Sequence, residues 1–599
     1  MMKKKEKTEK VSEGTSVESW LISIGEKKCG SASFSTYLIK SKKALVATKE
    51  NAPPPPALKR LWGDTFIMDH FQLGAVWFYD SPLNEDDIRN SIGGLLDKIP
   101  VLSGRRCSKA QNEASHPHGW VVQSNEGARF SFCNNFPGSA YDFVGSKRHV
   151  EAPKGQFVDI QDGNGIESGA EPLFTVRVTN FGDGKTSCIG ISIPHSIVDG
   201  KSYFSIVSIF AAGHSLGSFD LLKAPDMDSA AVWDKAIDSW NAKKEREQEE
   251  GGKSVIKSMY VKSALFLGKK MMKSLFNKDF NKMMPRAKIH FTQAELHQLK
   301  KNVDSLSGGK KKATTNEIVS AIFLKAFAEQ WGFKEAKPGY CTMVVNGQGK
   351  GLLSEVKNTC GNFSHLMTLQ LEKAPQEMSL VDILSFWHEV GDTWRSKEKS
   401  ALEVEKLAKL SYGDIDSDDL TPKKPNFIVN NQSCYIMAQI RFGRDATCIG
   451  YTPWHSGDHI HIVAALESEA SRPSIVKRYS NLKKIVGSID TADAFDRVDT
   501  DNSGDITREE LAAALANARS DTVDDREIDQ MMEMIDTDSS HTIDREEFGA
   551  AFYAARLCGG FDVYVAVPKS KSNKGVSFYE SNEFKQILLG MVTAELPSL

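Results

Sequence analysis

The chain of 599 residues is short of several things, and each absence narrows what it can be. No run approaches 18 apolar residues, so no membrane-crossing helix is expected. Nine cysteines are scattered at 29, 107, 133, 188, 341, 360, 434, 448 and 558, with no CxxC pair and no dense framework. That spacing argues against a disulfide scaffold and suits reduced thiols in the cytosol. Behind the basic start MMKKKEKTEK there is no apolar core, so a secretory signal is not expected and the cytoplasm is the expected location. The segments GDGKTS (182–187) and DGKS (199–202) lack the earlier glycine of a phosphate loop, so nucleotide binding is not expected. No cysteine lies at finger spacing from the histidines of HPH (116–118) or HIHI (459–462), which argues against structural zinc. Nothing points to a nucleic-acid partner.

What is present is organised in two similar halves. Strand-like GAVWFYD (74–80) precedes a helix from about Leu83 that carries Ile88, Ile92, Leu95 and Leu96 on one face and stops at Pro100. LFTVRVTNF and SCIGISI flank a Gly182–Gly184 turn as a hairpin, and a helix follows from Lys201 to about Ala212. Residues 241–252 read as an exposed linker. Then 253–286 carries nine Lys/Arg against one Asp, with Ile256, Tyr260, Ala264, Leu267, Met271 and Leu275 at helical spacing. The second half opens on a capping box, Thr314-x-x-Glu317, for a helix to Trp331. Strand YCTMVVNG, a long helix across 379–410 and strands near 434–450 and 459–466 complete it, and the strand GFDVYVAVP (560–568) comes after an acidic block.

That block holds 19 acidic and 6 basic residues over 490–556, so the net charge of −3 splits into −13 there and +10 elsewhere. Asp499, Asp501, Ser503, Asp505, Thr507 and Glu510 fit positions 1, 3, 5, 7, 9 and 12 of an EF-hand loop, with Gly504 at the sharp turn and Ile506 at position 8. A second copy begins 37 residues later with Asp536, Asp538, Ser540, Thr542, Asp544 and Glu547, and Ile543 at position 8. Ca²⁺ is a hard cation that takes six to eight oxygens, which a short loop of alternating oxygen side chains supplies. Position 7 coordinates through its carbonyl, so Asp505 and Thr542 are not side-chain ligands. In loop two His541 stands where glycine is usual, and a side chain at positive φ costs about 1 kcal/mol. Two calcium sites are therefore expected, the second weaker.

The stretch GISIPHSIVDGKS (190–202) ends a buried-looking strand on His195, four positions before Asp199-Gly200. A histidine facing a cavity can act as a general base near neutral pH. The aspartate can lock the turn, often through an arginine, and Gly200 can ease the bend into the next helix. With Pro100-Val-Leu-Ser-Gly104-Arg105 before it, VNGQGK (345–350) and Gly361-Asn362 after it, and RFGRD (441–445) near the end, the chain resembles the BAHD acyltransferases of the chloramphenicol-acetyltransferase-like superfamily. In RFGRD the family's Asp is Arg441 and its Trp is Arg444. The arginine that pairs with that Asp in the family is Gln348 here, so both partners have changed together.

The resemblance implies an α/β, two-domain chloramphenicol acetyltransferase-like fold with an all-α EF-hand pair inserted near the C-terminus. It implies a channel between the halves with His195 at its middle, acyl-CoA entering from one face and a small-molecule acceptor from the other. His195 takes the proton of an acceptor hydroxyl or amine, Asp199 is structural, and Asn431 is the candidate oxyanion donor by register, with a plain turn residue as its alternative. The divisions expected are a disordered leader and spacer (1–57), an N-terminal acyltransferase half (58–240), a basic crossover (241–286), a C-terminal half (287–488), the EF-hand pair (489–557) and a closing strand and helix (558–599).

GHSLG (213–217) matches a nucleophile elbow around Ser215, but the bulky SFDLLKAPD after it does not fit the small-residue helix such an elbow needs. Two functions stay open: a Ca²⁺-regulated, acyl-CoA-dependent acyltransferase, and a catalytically silent calcium-binding scaffold on the same fold. The protein is expected to be a monomer. Its stretch 253–286 is expected to serve as an intramolecular target of the EF-hand pair, through a groove lined by Met531, Met532 and Met534, with a peripheral contact with an anionic membrane or a plain solvated loop as alternatives.

Overall fold

The structure is a computed structural model that describes residues 21–29, 32–43, 57–59, 72–107, 120–144, 157–248, 286–306, 313–334, 339–356, 358–402, 426–433, 440–443, 446, 448–453, 460–465, 491–518, 525, 528–529, 531–532, 540–545, 548, 560–567 and 576–594. The first half contributes strands β1 (Leu21–Cys29), β2 (Ala32–Ile39), β3 (Ala57–Lys59), β4 (Gln72–Tyr79), β5 (Arg105–Cys107), β6 (Trp120–Val122), β7 (Ala128–Phe136), β8 (Thr175–Phe181) and β9 (Ser187–Pro194). Its main helices are α1 (Glu85–Lys98), α2 (Gly200–Leu216) and α3 (Ser229–Gln248). The second half runs through β10 (Arg286–Phe291), α4 (Gln293–Leu306), α5 (Thr315–Phe327), β11 (Tyr340–Asn346), β12 (Ser364–Gln370), α6 (Leu380–Arg395), β13 (Asn426–Asn431), β14 (Cys448–Pro453) and β15 (Ile460–Ala464). An acidic lobe follows, with α7 (Thr491–Val498), β16 (Asp505–Ile506), α8 (Arg508–Ala518) and β17 (Ile543–Asp544), before β18 (Phe561–Ala566) and α9 (Asn582–Ala594) return to the second half.

Two mixed sheets organise these elements. The first has strand order β1-β2-β7-β8-β9-β4-β14, and the second β10-β18-β15-β13-β11-β12. Strand β9 is buried at every position, which is why SCIGISIP reads as an unbroken apolar run rather than an alternation. At Gly190 a Cβ would lie 1.9 Å from the Phe157 carbonyl oxygen, so the strand needs glycine there for close approach. Helix α1 starts where Asn84 accepts from the Asp87 amide, has Glu85, Asp86 and Asp87 at its positive end, and buries Ile88, Ile92, Leu95 and Leu96.

The halves are not self-contained. Strand β14 comes from the second half yet pairs antiparallel with β4 at the edge of the first sheet. The segment before it is fixed by Tyr79, whose hydroxyl donates to the Ile440 carbonyl at 2.8 Å. Phe442 is buried 4.8 Å from the Phe210 ring and 6.5 Å from that of Tyr79. So the surviving Phe of RFGRD is a core anchor for this crossing, while Arg441 is exposed. Helices α4, α5, α6 and α9 cover one face of the second sheet. From its other face Val463 and Tyr564 join the core of the first half.

Several elements depart from expectation. Residues 21–29 and 32–39, expected within a disordered leader, form the antiparallel pair β1–β2, and Tyr37 stacks on Phe130 across the β2–β7 pair at 6.0 Å. Helix α3 continues through 241–248, which reads as linker in the sequence because its last turns are charged. The helix expected across 379–410 is broken at Ser396, which takes extended dihedrals, and helix resumes over 397–402; residues 403–410 lie outside the described residues. Strand β13 was not expected as a strand at all. The leader 1–15, the tetraproline 53–56 and the basic stretch 253–285 lie outside the described residues. No helix among the described residues is long and apolar enough to cross a membrane.

Candidate active site

Pro194 ends β9, because it has no N–H to give to a ladder, and the chain turns with the Ile197 amide donating to the Pro194 carbonyl at 3.0 Å. That turn presents His195 to a cavity of about 270 Å³ between the two halves. Gln72, Leu73, His195 and Gly200 supply the first-half wall. The second half supplies β11 (343–346), the start of α5, Lys350, Trp387 and Arg395 from α6, and the end of β13 (430–432). The imidazole Nδ1 is buried, which leaves Nε2 for the cavity. Burial lowers the His195 pKa from its ordinary value, opposed by the residue's own carbonyl and by the charge of Asp199.

Asp199 is fully buried and both its oxygens are used. Oδ1 accepts from the Ser202 amide at 2.8 Å and so caps α2. Oδ2 accepts from Asn346 Nδ2 at 2.6 Å and from the Phe363 amide at 2.8 Å, both from the second half. Burial raises its pKa, and the amides of Ser202 and Phe363 oppose that rise. Among the described residues no arginine bonds Asp199, and a neutral asparagine and two backbone amides are its partners. This carboxylate is a latch between the halves as well as a helix cap. Gly200 is the first residue of α2 and is not among the glycines with positive φ. The bend does not need its conformational freedom, and it contributes a wall without a side chain.

Two sequence motifs outside His195–Asp199 dock onto the same turn. Asn346 opens VNGQGK, and its Oδ1 accepts from the Gln348 amide at 2.9 Å. Gln348 Nε2 donates to the Thr359 carbonyl at 2.8 Å, a neutral contact in place of the family's ion pair. In the Gly361-Asn362 pair, the Gly361 amide donates to Ser202 Oγ at 3.0 Å, and Asn362 Nδ2 donates to the His195 carbonyl at 3.1 Å. A Cβ at Gly361 would lie 2.3 Å from Ser229 Cβ. Sequence reasoning located these motifs and missed their role, because the partners lie about 150 positions apart.

Asn431 ends β13 and lines the cavity with His195. Its Oδ1 accepts from the Ser433 amide at 2.9 Å and from Ser433 Oγ at 2.6 Å. It is thus both a turn residue and a wall residue, with only its Nδ2 end left to donate to a ligand. Ser215 sits near the C-terminal end of α2, where its hydroxyl donates to the Arg441 carbonyl at 3.1 Å. No strand enters it, so the nucleophile-elbow geometry is not formed. GDGKTS is the tight β8–β9 turn, in which Asp183 accepts from the Lys185 and Thr186 amides.

In the acidic lobe, the ligand oxygens of Asp499, Asp501 and Glu510 lie within 4.8 Å of one another. Ser503 and Gly504 amides donate to Asp499, and Gly504 has φ +94°. Burial is the largest single influence on Glu510 and raises its pKa, but the hydrogen bonds from Thr507 and Thr500 together outweigh it and hold the carboxyl at about 2. Thr507 and Glu510 together form a capping box for α8. This donor set, all oxygen and largely anionic, fits a calcium ion. The loops pair through Asp505↔Asp544 and Ile506↔Ile543. In loop two His541 has φ +67°, so it occupies the left-handed position expected of it. Ser540 and Asp544 are described, whereas Asp536, Asp538 and Glu547 lie outside the described residues, as does Met534. Met531 and Met532 are buried in the core of the lobe with Phe495, Leu511 and Phe548, rather than lining an open groove.

Comparison with known proteins agrees with both parts. The model of the Transferase family matches residues 155–472, and the EF-hand domain pair model matches residues 490–553. No curated protein matches the chain. Among solved structures, vinorine synthase is 14% identical with a TM-score of 0.47, over 74% of this chain and 92% of that one. TRI101 of F. sporotrichioides, complexed with coenzyme A and T-2, is 10% identical with a TM-score of 0.46, over 68% and 92%. The first condensation domain of the calcium-dependent antibiotic synthetase is 13% identical with a TM-score of 0.41, over 69% and 89%.

Proposed function

The chain belongs to the Transferase family as an acyltransferase that carries an EF-hand pair, and from that premise we propose that it moves an acyl group from acyl-CoA to a hydroxyl or amine acceptor with His195 as general base, under control of calcium. The observation that carries the reading is the cavity between the halves with His195 in its wall. Nε2 takes the proton of the acceptor as its oxygen or nitrogen attacks the thioester carbonyl. The tetrahedral oxyanion is met by a donor, for which Asn431 Nδ2 is placed. The C–S bond then breaks, the acyl group stays on the acceptor, and His195 returns the proton to the CoA thiolate. A lowered His195 pKa keeps the base neutral and ready near neutral pH.

Calcium has no part in that sequence of bonds. Asp499, Asp501, Ser503, Thr507 and Glu510 would hold the ion in loop one, and Asp536, Asp538, Ser540, Asp544 and Glu547 in loop two, where its charge would offset that of the carboxylates. The route from lobe to cavity is short. The lobe is inserted between Ala464 of β15 and Phe561 of β18, which are paired neighbours in the second sheet. Ile462, two residues before the insertion, accepts from the Gln432 amide at 2.8 Å and pairs with Asn431. Both are cavity-wall residues.

The test is release of free CoA by the purified chain from a panel of acyl-CoA donors, with pooled hydroxyl and amine acceptors, in calcium and in chelator. The proposal expects acceptor-dependent release whose rate differs between the two conditions. No release with any donor, from protein that is folded and binds calcium, sinks it in favour of a silent calcium-binding scaffold.

A further inference from the structure

Helix α6 turns one stripe towards the cavity between the halves. Trp387, Gly391 and Arg395 stand four residues apart, so they share a helical face, and all three line the cavity. Trp387 is fully buried, and its Nε1 has no hydrogen-bond partner among the described residues. A buried indole N–H usually finds an acceptor, and leaving it unmet costs about 1–3 kcal/mol. Gly391 leaves the next turn bare, and the Arg395 guanidinium lies back over it, with Nη1 3.7 Å from where a Cβ would stand. Among the described residues the guanidinium bonds only Asp392, through Nη1 at 3.3 Å, so Nε and Nη2 have no partner there.

The charges around this stripe decide what it can hold. Lys350 lines the same cavity. So does Glu317, but its carboxylate is already engaged: Oε2 accepts from the Thr314 amide at 2.6 Å in the capping box, and Oε1 lies 3.8 Å from His388 Nδ1. Asp392 is shared between Arg395 and His388 Nε2, the latter 3.4 Å away. Among the described residues the first-half wall is Gln72, Leu73, His195 and Gly200, none with a fixed charge. The N-terminus of α5, a helix of 13 residues, meets the cavity at Thr314 and Asn316 and adds the positive end of its dipole. Trp387 Nε1, Arg395 and Lys350 can donate but not accept. A cationic amine is repelled here, and an alkyl chain leaves the donors unmet. A small anion that accepts from several sides satisfies them. We propose that the stripe binds a carboxylate carried by a substrate, on the acyl chain or on the acceptor, with Arg395 as the specificity-determining residue and Trp387 Nε1 as its second donor. The proposal rests on the reading of the cavity as the acyl-transfer site. The phosphates of acyl-CoA fit less well, because the pantetheine arm holds them far from the reacting thioester and a cavity of about 270 Å³ is small for a nucleotide.

Matched pairs of ligands on the full-length protein test this. Succinyl-CoA and butyryl-CoA have acyl chains of equal length, and the first alone ends in a carboxylate. Lactate, malate and glutamate differ from their methyl esters in the same way. Binding is read without turnover from the indole N–H signal of Trp387, identified by its loss in Trp387→Phe. That signal is expected to shift with the carboxylate member of the acyl pair or of an acceptor pair and not with its neutral mate. The carboxylate member should bind at least about tenfold tighter, as a hydrogen bond to a charged group provides. Which pair shows the preference tells which substrate carries the carboxylate. Arg395→Gln should bring the ratio of affinities close to one, and the same ratio in KM should collapse in the CoA-release assay, with thermal melting and calcium binding as controls for folding. No preference in any pair overturns the proposal, as does a preference that survives Arg395→Gln. A loss of affinity shared equally by every CoA ester, the neutral one included, puts the CoA phosphates on Arg395 and also overturns it. If the chain shows the expected binding but releases no CoA, the acyl-transfer reading fails while the carboxylate site stands.

Discussion

Asp199 shows how much one side chain holds at this site. Its two oxygens accept three hydrogen bonds, from Ser202, Asn346 and Phe363, and the last two cross between the halves. Asn in its place has a single acceptor oxygen, so its NH₂ end must face a donor in either orientation. Asp199→Asn should therefore lower stability by about 1–3 kcal/mol, the cost of leaving buried groups unpaired, and lower activity with it. Denaturant titration checks this, and unchanged stability with full activity would remove the latch. At His195 the direction of the pKa shift sets the sign of a second expectation. A base whose pKa is lowered stays neutral to lower pH, so the acid limb of kcat/KM should fall below the ordinary imidazole value of about 6.5. A limb at or above that value contradicts the burial account. The histidine and the aspartate were legible from HxxxDG alone, because strand, turn and helix are local. Asn346 and Asn362 were visible only as motifs, since their meaning depends on which half they touch.

At the scale of elements, strong periodicity was read correctly and weak boundaries were not. The β8–β9 hairpin, α1 with its four buried positions, and the Thr314–Glu317 capping box all stand where spacing placed them. The β1–β2 pair was missed because polar residues interrupt its apolar ones, Glu26, Lys27 and Lys28 in β1 and Ser33, Ser35 and Thr36 in β2, and pairing with β7 supplies the order that local sequence does not. Strand β13 was missed because NFIVNN carries three asparagines, and its burial between β11 and β15 overrides their turn preference. The EF-hand pair was legible, down to the left-handed residue at position 6 of each loop. Gly504 takes φ +94° at no steric cost, whereas His541 at φ +67° carries strain. Glu510→Gln should thus cost more calcium affinity than Glu547→Gln, since it removes the bidentate ligand of the better-formed loop. Calorimetry that gave the reverse order would set aside the argument from loop geometry.

At the scale of the molecule, the two halves form one unit around the cavity. Strand β14 from the second half closes the first sheet, Tyr564 and Val463 reach into the first core, and the His195–Asp199 turn is held by Asn346, Gly361, Asn362 and Phe363. This sharing was not legible in a sequence that reads as two separate αβ halves, because strand exchange leaves no local signal. It also explains why a lobe inserted at the β15–β18 pair is suited to control the site. The sheet that carries the lobe carries the cavity wall one strand away. The central claim is that His195 performs the chemistry. The measurement that tests it most directly is CoA release from acyl-CoA by wild type and His195→Ala side by side, with thermal melting and calcium binding as controls for folding. The account predicts a loss of about 10²–10⁴ in rate with melting and calcium affinity unchanged. A folded His195→Ala protein that releases CoA at the wild-type rate would contradict it.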